Sequence, residues 1–273
     1  MENLKLCCLM AVYKKDNENW LVEAIESIVK QTKTPDEFLI VGDGELSESL
    51  NQIIDKYVKI YPFIRFITYK ENKGLWYALN YGVNNTDCEL IARMDSDDIA
   101  RTDRFEVEYN MFLKDSKLCM VGSNTIEFKD DISNVVSKRE MPQTNSDIKK
   151  FIGKRNPFIH SSVMFKRDAV LKAGNYRNAY LCEDYDLWAR MYLDGAEFYN
   201  IQENLVFMRV DDNFYKRRGG LKYVKSILKL KRFLFKNRIS SLGSFLISSI
   251  ATLVIGLMPN SFRTYFYRKF LRK

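Results

Sequence analysis

An α/β fold with a mostly parallel, doubly wound sheet and helices on both faces is predicted by three features of this 273-residue chain. Apolar runs that read as buried strands alternate with helix-period stripes through the first hundred residues. Turn residues punctuate each change of period. The apolar runs at 38–41 and 90–94 end abruptly in carboxylates, at the strand ends where such sheets open a ligand crevice.

Each element follows in order. Residues 4–12 form the first buried strand, and Asp16 or Asn17 can cap the helix after it, whose apolar stripe is Leu21, Ala24, Ile25, Ile28 and Val29. Pro35-Asp36 breaks the chain before a second strand, 38–41, which ends in Gly42-Asp43-Gly44. Leu46, Leu50, Ile53, Ile54 and Tyr57 mark a second helix, and residues 63–69 a third strand. Asn72-Lys73-Gly74 turns into a third helix carrying Leu75, Ala78 and Leu79, and residues 89–94 are strand four. A helix over 103–114 and a strand from Met120 follow, then a polar, irregular flap over 129–160. Short strands at 161–165, 196–200 and 205–209 surround a strong helix at 183–193. No internal repeat or low-complexity linker is present.

Charge divides the chain. Residues 216–273 hold fifteen Lys or Arg and no acid, so the body carries −7 and the tail +15. A basic tail on an acidic body points to an anionic partner. Within that tail, residues 239–259 contain no charged side chain and approach the roughly 20 residues that span a bilayer. Ser240, Ser241, Ser244, Ser248, Ser249, Thr252, two glycines and Pro259 weaken a spanning reading. A helix lying in the interface or dipping into one leaflet is favoured, on an anionic membrane surface. A core helix docked on the body is the alternative. Nucleic acid is a poorer partner, because an apolar block has no use on a duplex. The expected layout is a catalytic domain over 1–210, a basic flap or linker and helix over 211–238, and a membrane-associating tail over 239–273. Cys7, Cys8 and Cys88 read as reduced core residues, which fits a reducing cytoplasm. Residues 6–12 are too short for a signal peptide.

The chemistry concentrates at Asp95-Ser96-Asp97-Asp98. Crowded carboxylates repel, so a cation is expected among them, and Mg²⁺ or Mn²⁺ takes oxygen ligands from one or two carboxylates plus phosphates. Strands one, two and four should end at one sheet edge, bringing Tyr13, Asp43 and this cluster together. An aromatic ring, a lone carboxylate and a carboxylate cluster suit a nucleobase, its ribose and a metal-bound diphosphate. The bland reading has Asp98 capping the next helix toward Arg104. Trp76 and Trp188 read as packing residues.

Ordered motifs add to this. Met10-Ala11-Val12-Tyr13, Glu23-Ala24-Ile25-Glu26-Ser27-Ile28 with Gln31, Val41-Gly42-Asp43-Gly44 and Asn72-Lys73-Gly74-Leu75 come first. Ile91-Ala92-Arg93-Met94-Asp95-Ser96-Asp97-Asp98 with Arg101 and Arg104-Phe105, and Cys182-Glu183-Asp184-Tyr185-Asp186-Leu187-Trp188 with Arg190, complete the set. Over roughly residues 4–210 the sequence resembles the family 2 inverting glycosyltransferases of the GT-A fold. The resemblance implies a donor site in which Asp43 bonds the uracil, Tyr13 borders the base, and Asn72 and Gly74 belong to the nucleotide loop. Asp95 would meet ribose or a metal-bound water, and Asp97 would ligate Mn²⁺ or Mg²⁺. Asp184 would be the general base, with Glu183 its rival.

Three further residues have two readings each. Arg93 either pairs with a cluster carboxylate on the donor side or sits on the strand's polar side. His160, the only histidine, is by composition a hydrogen-bonded structural residue, whereas the resemblance makes it a candidate for the metal shell. Arg217 and Arg218, beside Gly219-Gly220, either close over the diphosphate or begin the membrane-facing tail. Gly42 departs from the resemblance, since many members carry Asp there, and Thr102 replaces a common Pro.

The implied activity is metal-dependent transfer of a hexose, galactose or glucose, from a UDP-sugar to a lipid-diphosphate-linked glycan, as in bacterial O-antigen or capsule synthesis, at the cytoplasmic face of the membrane. Sugar-nucleotide pyrophosphorylases are excluded, because no glycine-rich loop follows strand one. A non-enzymatic membrane scaffold with a degenerate site is the remaining alternative.

Overall fold

The computed structural model describes residues 4–211, 219–259 and 262. Strands β1 (Leu6–Val12), β2 (Glu37–Gly42), β3 (Ile64–Thr68) and β4 (Leu90–Asp95) alternate with helices α1 (Glu18–Val29), α2 (Glu48–Ile60) and α3 (Leu75–Asn84). The strands pair in parallel in the order β3-β2-β1-β4. Side chains of β1 alternate between two cores, as a strand buried on both faces must. Leu6, Cys8, Met10 and Val12 meet Leu21, Ile25 and Ile54 from α1 and α2. Cys7 and Leu9 meet Leu79 and Val83 from α3. Asn17 caps α1, its side chain accepting from the Asn19 and Trp20 amides. The register pairs Val12 with Gly42 and Ala11 with Asp95, so β1, β2 and β4 end level.

The second half comprises β5 (Ile99–Ala100), α4 (Arg104–Lys114), β6 (Leu118–Lys129), β7 (Asp131–Arg139), α5 (Asn145–Phe151), a 3₁₀ turn (His160–Ser162), β8 (Met164–Lys166), α6 (Arg167–Lys172), α7 (Glu183–Leu193) and β9 (Glu197–Arg209). The sheet continues β4-β8-β6-β9-β5. β8 is antiparallel to both β4 and β6. It joins the parallel first half to the β6–β9 pair.

Two sequence expectations change. The stretch 129–160 is not irregular: it holds β7 and α5. β7 reads as polar because it pairs with β6 and is exposed along most of its length. The two strands expected at 196–200 and 205–209 are one strand. Its pairing with β6 shifts register near Asn124, where Gln202 and Glu203 turn out to solvent.

The tail forms two helices, α8 (Leu221–Lys236) and α9 (Leu242–Leu257). Leu230 and Leu234 of α8 pack on Cys182 and Ala189 at α7. α9 packs on α8, where the Gly220 amide donates to the Gly256 carbonyl at 2.9 Å. α9 is not a core helix, because Gly256 is its only buried residue. Its sixteen residues cover about 24 Å at 1.5 Å per residue, short of a ~30 Å hydrocarbon core. No described helix is long and apolar enough to cross a membrane.

Candidate active site

The level ends of β1, β2 and β4 carry the first group of site residues. β4 delivers Asp95, and the chain turns at once through Asp97 and Asp98. One carboxylate oxygen from each of these three residues lies within 4.8 Å of the others. Asp98 is fully buried. Its Oδ1 accepts the Arg209 amide at 2.8 Å, and its Oδ2 has no hydrogen-bond partner in the protein. Burial, with Asp97 and Asp95 beside it, pushes the Asp98 carboxyl well above its usual range. Three carboxylates whose oxygens converge fit a hard divalent cation. Asp98 therefore does not begin α4. Asp103 occupies that cap position without a side-chain bond, and the Gln31 side chain accepts the Phe105 amide at 2.9 Å instead.

A buried frame holds this turn. Arg104 donates to the Arg93 carbonyl at 3.0 Å and pairs with Glu108 at 3.0 Å. Gln31 also donates to the Arg101 carbonyl at 2.7 Å. Arg209, at the end of β9, is a residue the sequence reading missed. It donates to the carbonyls of Asp97 at 3.0 Å and Asp130 at 2.7 Å, and it pairs with Glu23 of α1. Its guanidinium also lies over the Phe128 and Trp20 rings. The signal available in sequence was an arginine ending the apolar run 205–208.

Tyr13 stands exposed at the end of β1, beside the crevice, with its amide donating to Asp16 at 3.1 Å. Asp43 lies at the same edge but is only 5 % exposed. Its carboxylate accepts from the Tyr69 hydroxyl at 2.8 Å, Asn72 at 2.9 Å, the Lys73 amide at 2.8 Å and the Gly74 amide at 3.0 Å. A carboxylate has about four lone-pair sites, and these donors use them. Asp43 thus fastens the loop that carries Asn72 and Gly74. Gly42 has a steric reason: a Cβ there would sit 2.9 Å from Thr68 Oγ1 and 3.1 Å from the Phe66 ring.

A second acidic group lies in the first turn of α7. Asp184 accepts from Asn156 Nδ2 at 2.6 Å. Glu183 is 8 % exposed, and burial together with Asp184 pushes its carboxyl up to about 7. Arg93, 1 % exposed, lies between the two halves. Its Nη2 pairs with Asp95, while Nε and Nη1 have no protein partner. Burial works against the Arg93 charge, and Asp95 beside it more than compensates.

His160 lies outside the group of Asp95, Asp97 and Asp98 oxygens that converge within 4.8 Å. Its Nε2 lies 3.0 Å from the Tyr176 hydroxyl, and its ring packs on Tyr176 and Trp188. Burial and Arg93 hold the imidazole well below its usual range, hence neutral. Tyr176 is kept in place by Arg190, which donates to the Asn175 carbonyl at 2.7 Å and pairs with Asp186. Arg217 and Arg218 lie outside the described residues.

The raised Glu183 carboxyl makes a stability prediction. Between pH 4.5 and about 7 the folded state binds more protons at this residue than the unfolded chain. Stability therefore falls as pH rises through that window, by up to ~3 kcal/mol. Glu183→Gln removes the effect. Its Tm should exceed wild type at pH 8 and match it near pH 4.5, read by differential scanning fluorimetry; equal shifts at both pH values would contradict the assignment.

A parallel half-sheet ending in clustered carboxylates, facing an acidic helix turn across a buried arginine, is the architecture of a nucleotide-sugar transferase. The sequence comparisons give the family: the model for "Glycosyl transferase family 2" matches residues 7–174. The chain belongs to that family and is a glycosyltransferase. It is 38 % identical over 269 residues to an Escherichia coli UDP-Gal:alpha-D-GlcNAc-diphosphoundecaprenol beta-1,3-galactosyltransferase, covering 98 % of this chain and 97 % of the relative. It is 33 % identical to the amylovoran biosynthesis glycosyltransferase AmsE of Erwinia amylovora, covering 82 % and 83 %. Among solved structures, the mannosyltransferase PcManGT of Pyrobaculum calidifontis, in complex with GDP-Man and Mn²⁺, superposes with a TM-score of 0.67 at 14 % identity, covering 97 % of this chain and 79 % of that one. TarS 1-349 of S. aureus in complex with UDP gives 0.60 at 16 % identity, covering 82 % and 66 %. These two share the GT-A fold.

Proposed function

We propose that this glycosyltransferase is metal-dependent and inverting, and moves a hexose, galactose before glucose, from a UDP-sugar to a lipid-diphosphate-linked glycan in bacterial surface-polysaccharide synthesis. The observation that carries the reading is the meeting of two carboxylate groups across Arg93: Asp95, Asp97 and Asp98 on one side, Glu183 and Asp184 on the other. The relatives' printed activities support the donor and acceptor classes.

Asp97, with Asp95 and Asp98, would hold Mn²⁺ or Mg²⁺, which neutralises charge developing on the diphosphate leaving group. Tyr13 borders the base, and Asp43 keeps the Asn72–Gly74 loop shaped for it. The two unpartnered Arg93 N–H groups are available to donor oxygens, a charge-assisted contact in a dry site. Asp184, oriented by Asn156, takes the proton from the acceptor hydroxyl as that oxygen attacks the anomeric carbon. The bond from that carbon to the β-phosphate oxygen breaks, UDP departs, and an α-linked donor gives a β-glycoside. Arg217 and Arg218 are assigned to the diphosphate. The enzyme works peripherally at the cytoplasmic face of the membrane.

The test is a panel of UDP-sugars with Mn²⁺, Mg²⁺ or chelator and a GlcNAc-diphospho-lipid acceptor, with product linkage read by NMR. A β-galactoside formed only with metal is expected. Absence of acceptor-dependent UDP release with every donor would overturn the reading in favour of a non-enzymatic scaffold.

A further inference from the structure

Helix α9 is built inside out. Its hydroxyl and small residues, Ser244, Ser248, Ser249, Thr252 and Gly256, lie on the less exposed side of the helix. Six of its large aliphatic residues, Leu246, Ile247, Ile250, Leu253, Val254 and Leu257, are on the exposed side, while Phe245 and Ile255 are half-buried. Both sets recur at helical spacing, so each forms a continuous stripe. Two hydroxyls of the inward stripe are satisfied within the helix: Thr252 donates to the Ser248 carbonyl at 2.8 Å and Ser248 to the Phe245 carbonyl at 3.4 Å. Its smallness also lets the helices close up, for a Cβ on Gly256 would meet Val224 of α8 at 2.4 Å. A surface helix in water has the opposite polarity, and a contiguous exposed apolar patch marks an interaction surface.

The neighbouring helix states what chemistry surrounds that surface. Lys222, Lys225, Lys229, Arg232 and Lys236 are exposed at helical spacing along the whole of α8. Residues 216–273 contain no acid to pair with them. Two copies meeting through this hairpin would oppose like charges, whereas an anionic bilayer offers both an acyl boundary and counter-charges.

The hairpin is also fixed to the acceptor motif. Cys182, which caps α7 immediately before Glu183, packs on Leu230 and Leu234, and its sulfur lies 3.4 Å from Ser226 Oγ of α8. The backbone at Gly153, near Asn156, rests on Ile239, where a Cβ would meet the Ile239 carbonyl at 2.3 Å.

We infer that the outward aliphatic stripe of α9 enters the acyl boundary of an anionic bilayer, and that α8 couples this contact to the helix carrying Glu183 and Asp184, so that the bilayer sets where a lipid-linked acceptor meets its base. The coupling rests on the proposed acceptor class; the bilayer contact does not.

The test uses the full chain and phosphatidylglycerol/phosphatidylcholine vesicles without nucleotide or acceptor. Wild type should co-sediment, and the Ile247→Glu/Ile250→Glu/Val254→Glu variant should partition at least tenfold less. A Ser244→Ala variant, changed at the inward edge, should partition like wild type. Because the triple variant could misfold, Ile250→Trp offers a second measurement: its added fluorescence should be quenched by brominated acyl chains. Undiminished sedimentation of a folded triple variant, or no quenching at position 250, overturns the inference. So does a wild-type dimer that the triple substitution dissociates while vesicle binding is absent. For the coupling, the triple variant should lose at least tenfold activity on a long-chain acceptor in vesicles and keep wild-type activity on a short-chain, water-soluble diphosphate-sugar. Equal losses on both overturn the coupling alone, and no activity of wild type on either marks failure of the proposed reaction instead.

Discussion

Asp97→Ala is expected to remove metal-dependent transfer, lowering kcat by roughly 10³-fold or more, about 4 kcal/mol of transition-state stabilisation. The substitution deletes one of only three carboxylates whose oxygens converge within 4.8 Å. It leaves untouched the backbone carbonyl at 97 that Arg209 grips, so the turn should stay folded. Two measurements separate ligand loss from collapse: the Mn²⁺ concentration dependence of UDP release, and Tm with and without metal. Wild type should gain Tm on adding metal and the variant little. A variant with wild-type turnover and metal dependence would take Asp97 out of the metal shell and leave Asp95 and Asp98 to hold the ion.

Asp184→Asn is expected to cost about 10²–10⁴-fold in kcat, the range for a lost general base, while UDP binding by calorimetry stays unchanged. Asn keeps the side chain's size and can still accept from Asn156, whose Nδ2 lies 2.6 Å from the native carboxylate. The neighbouring Glu183 gives the experiment its contrast. With a carboxyl at about 7, Glu183 is half protonated at neutral pH. If Glu183 were the base instead, the Asp184→Asn variant would remain substantially active at pH 8, with its rise shifted to lower pH because the Asp184 charge that helps raise the Glu183 carboxyl is gone. A dead variant across that range assigns the proton to Asp184.

What could be read from the sequence follows from how local the signal was. β1 to β4 and α1 to α3 were legible because each is a buried apolar run or a clean helical stripe with its own cap or turn. The carboxylate cluster at 95–98 and the pair at 183–184 were legible because adjacent residues carry them. β7 was hidden because an exposed outer strand carries no buried stripe, and β9 looked like two strands because polar residues mark its register shift. Contacts with distant partners were not legible. The donors to Asp43 come from a loop thirty residues on. The Tyr176 hydroxyl stands 3.0 Å from the His160 ring nitrogen. Arg209 was invisible as a brace for a turn more than a hundred residues earlier. The serines of α9 counted against an apolar surface because composition averages a helix over faces that geometry separates.

The three-residue strand β8 has a consequence for how the sheet is joined. Asp95 ends the fourth strand of the chain, whereas Glu183 and Asp184 begin a helix some ninety residues later, and β8 is what stitches β4 to β6 between them. The half of the sheet that carries Asp95 is therefore hydrogen-bonded to the half that carries Arg209 through this one short antiparallel strand.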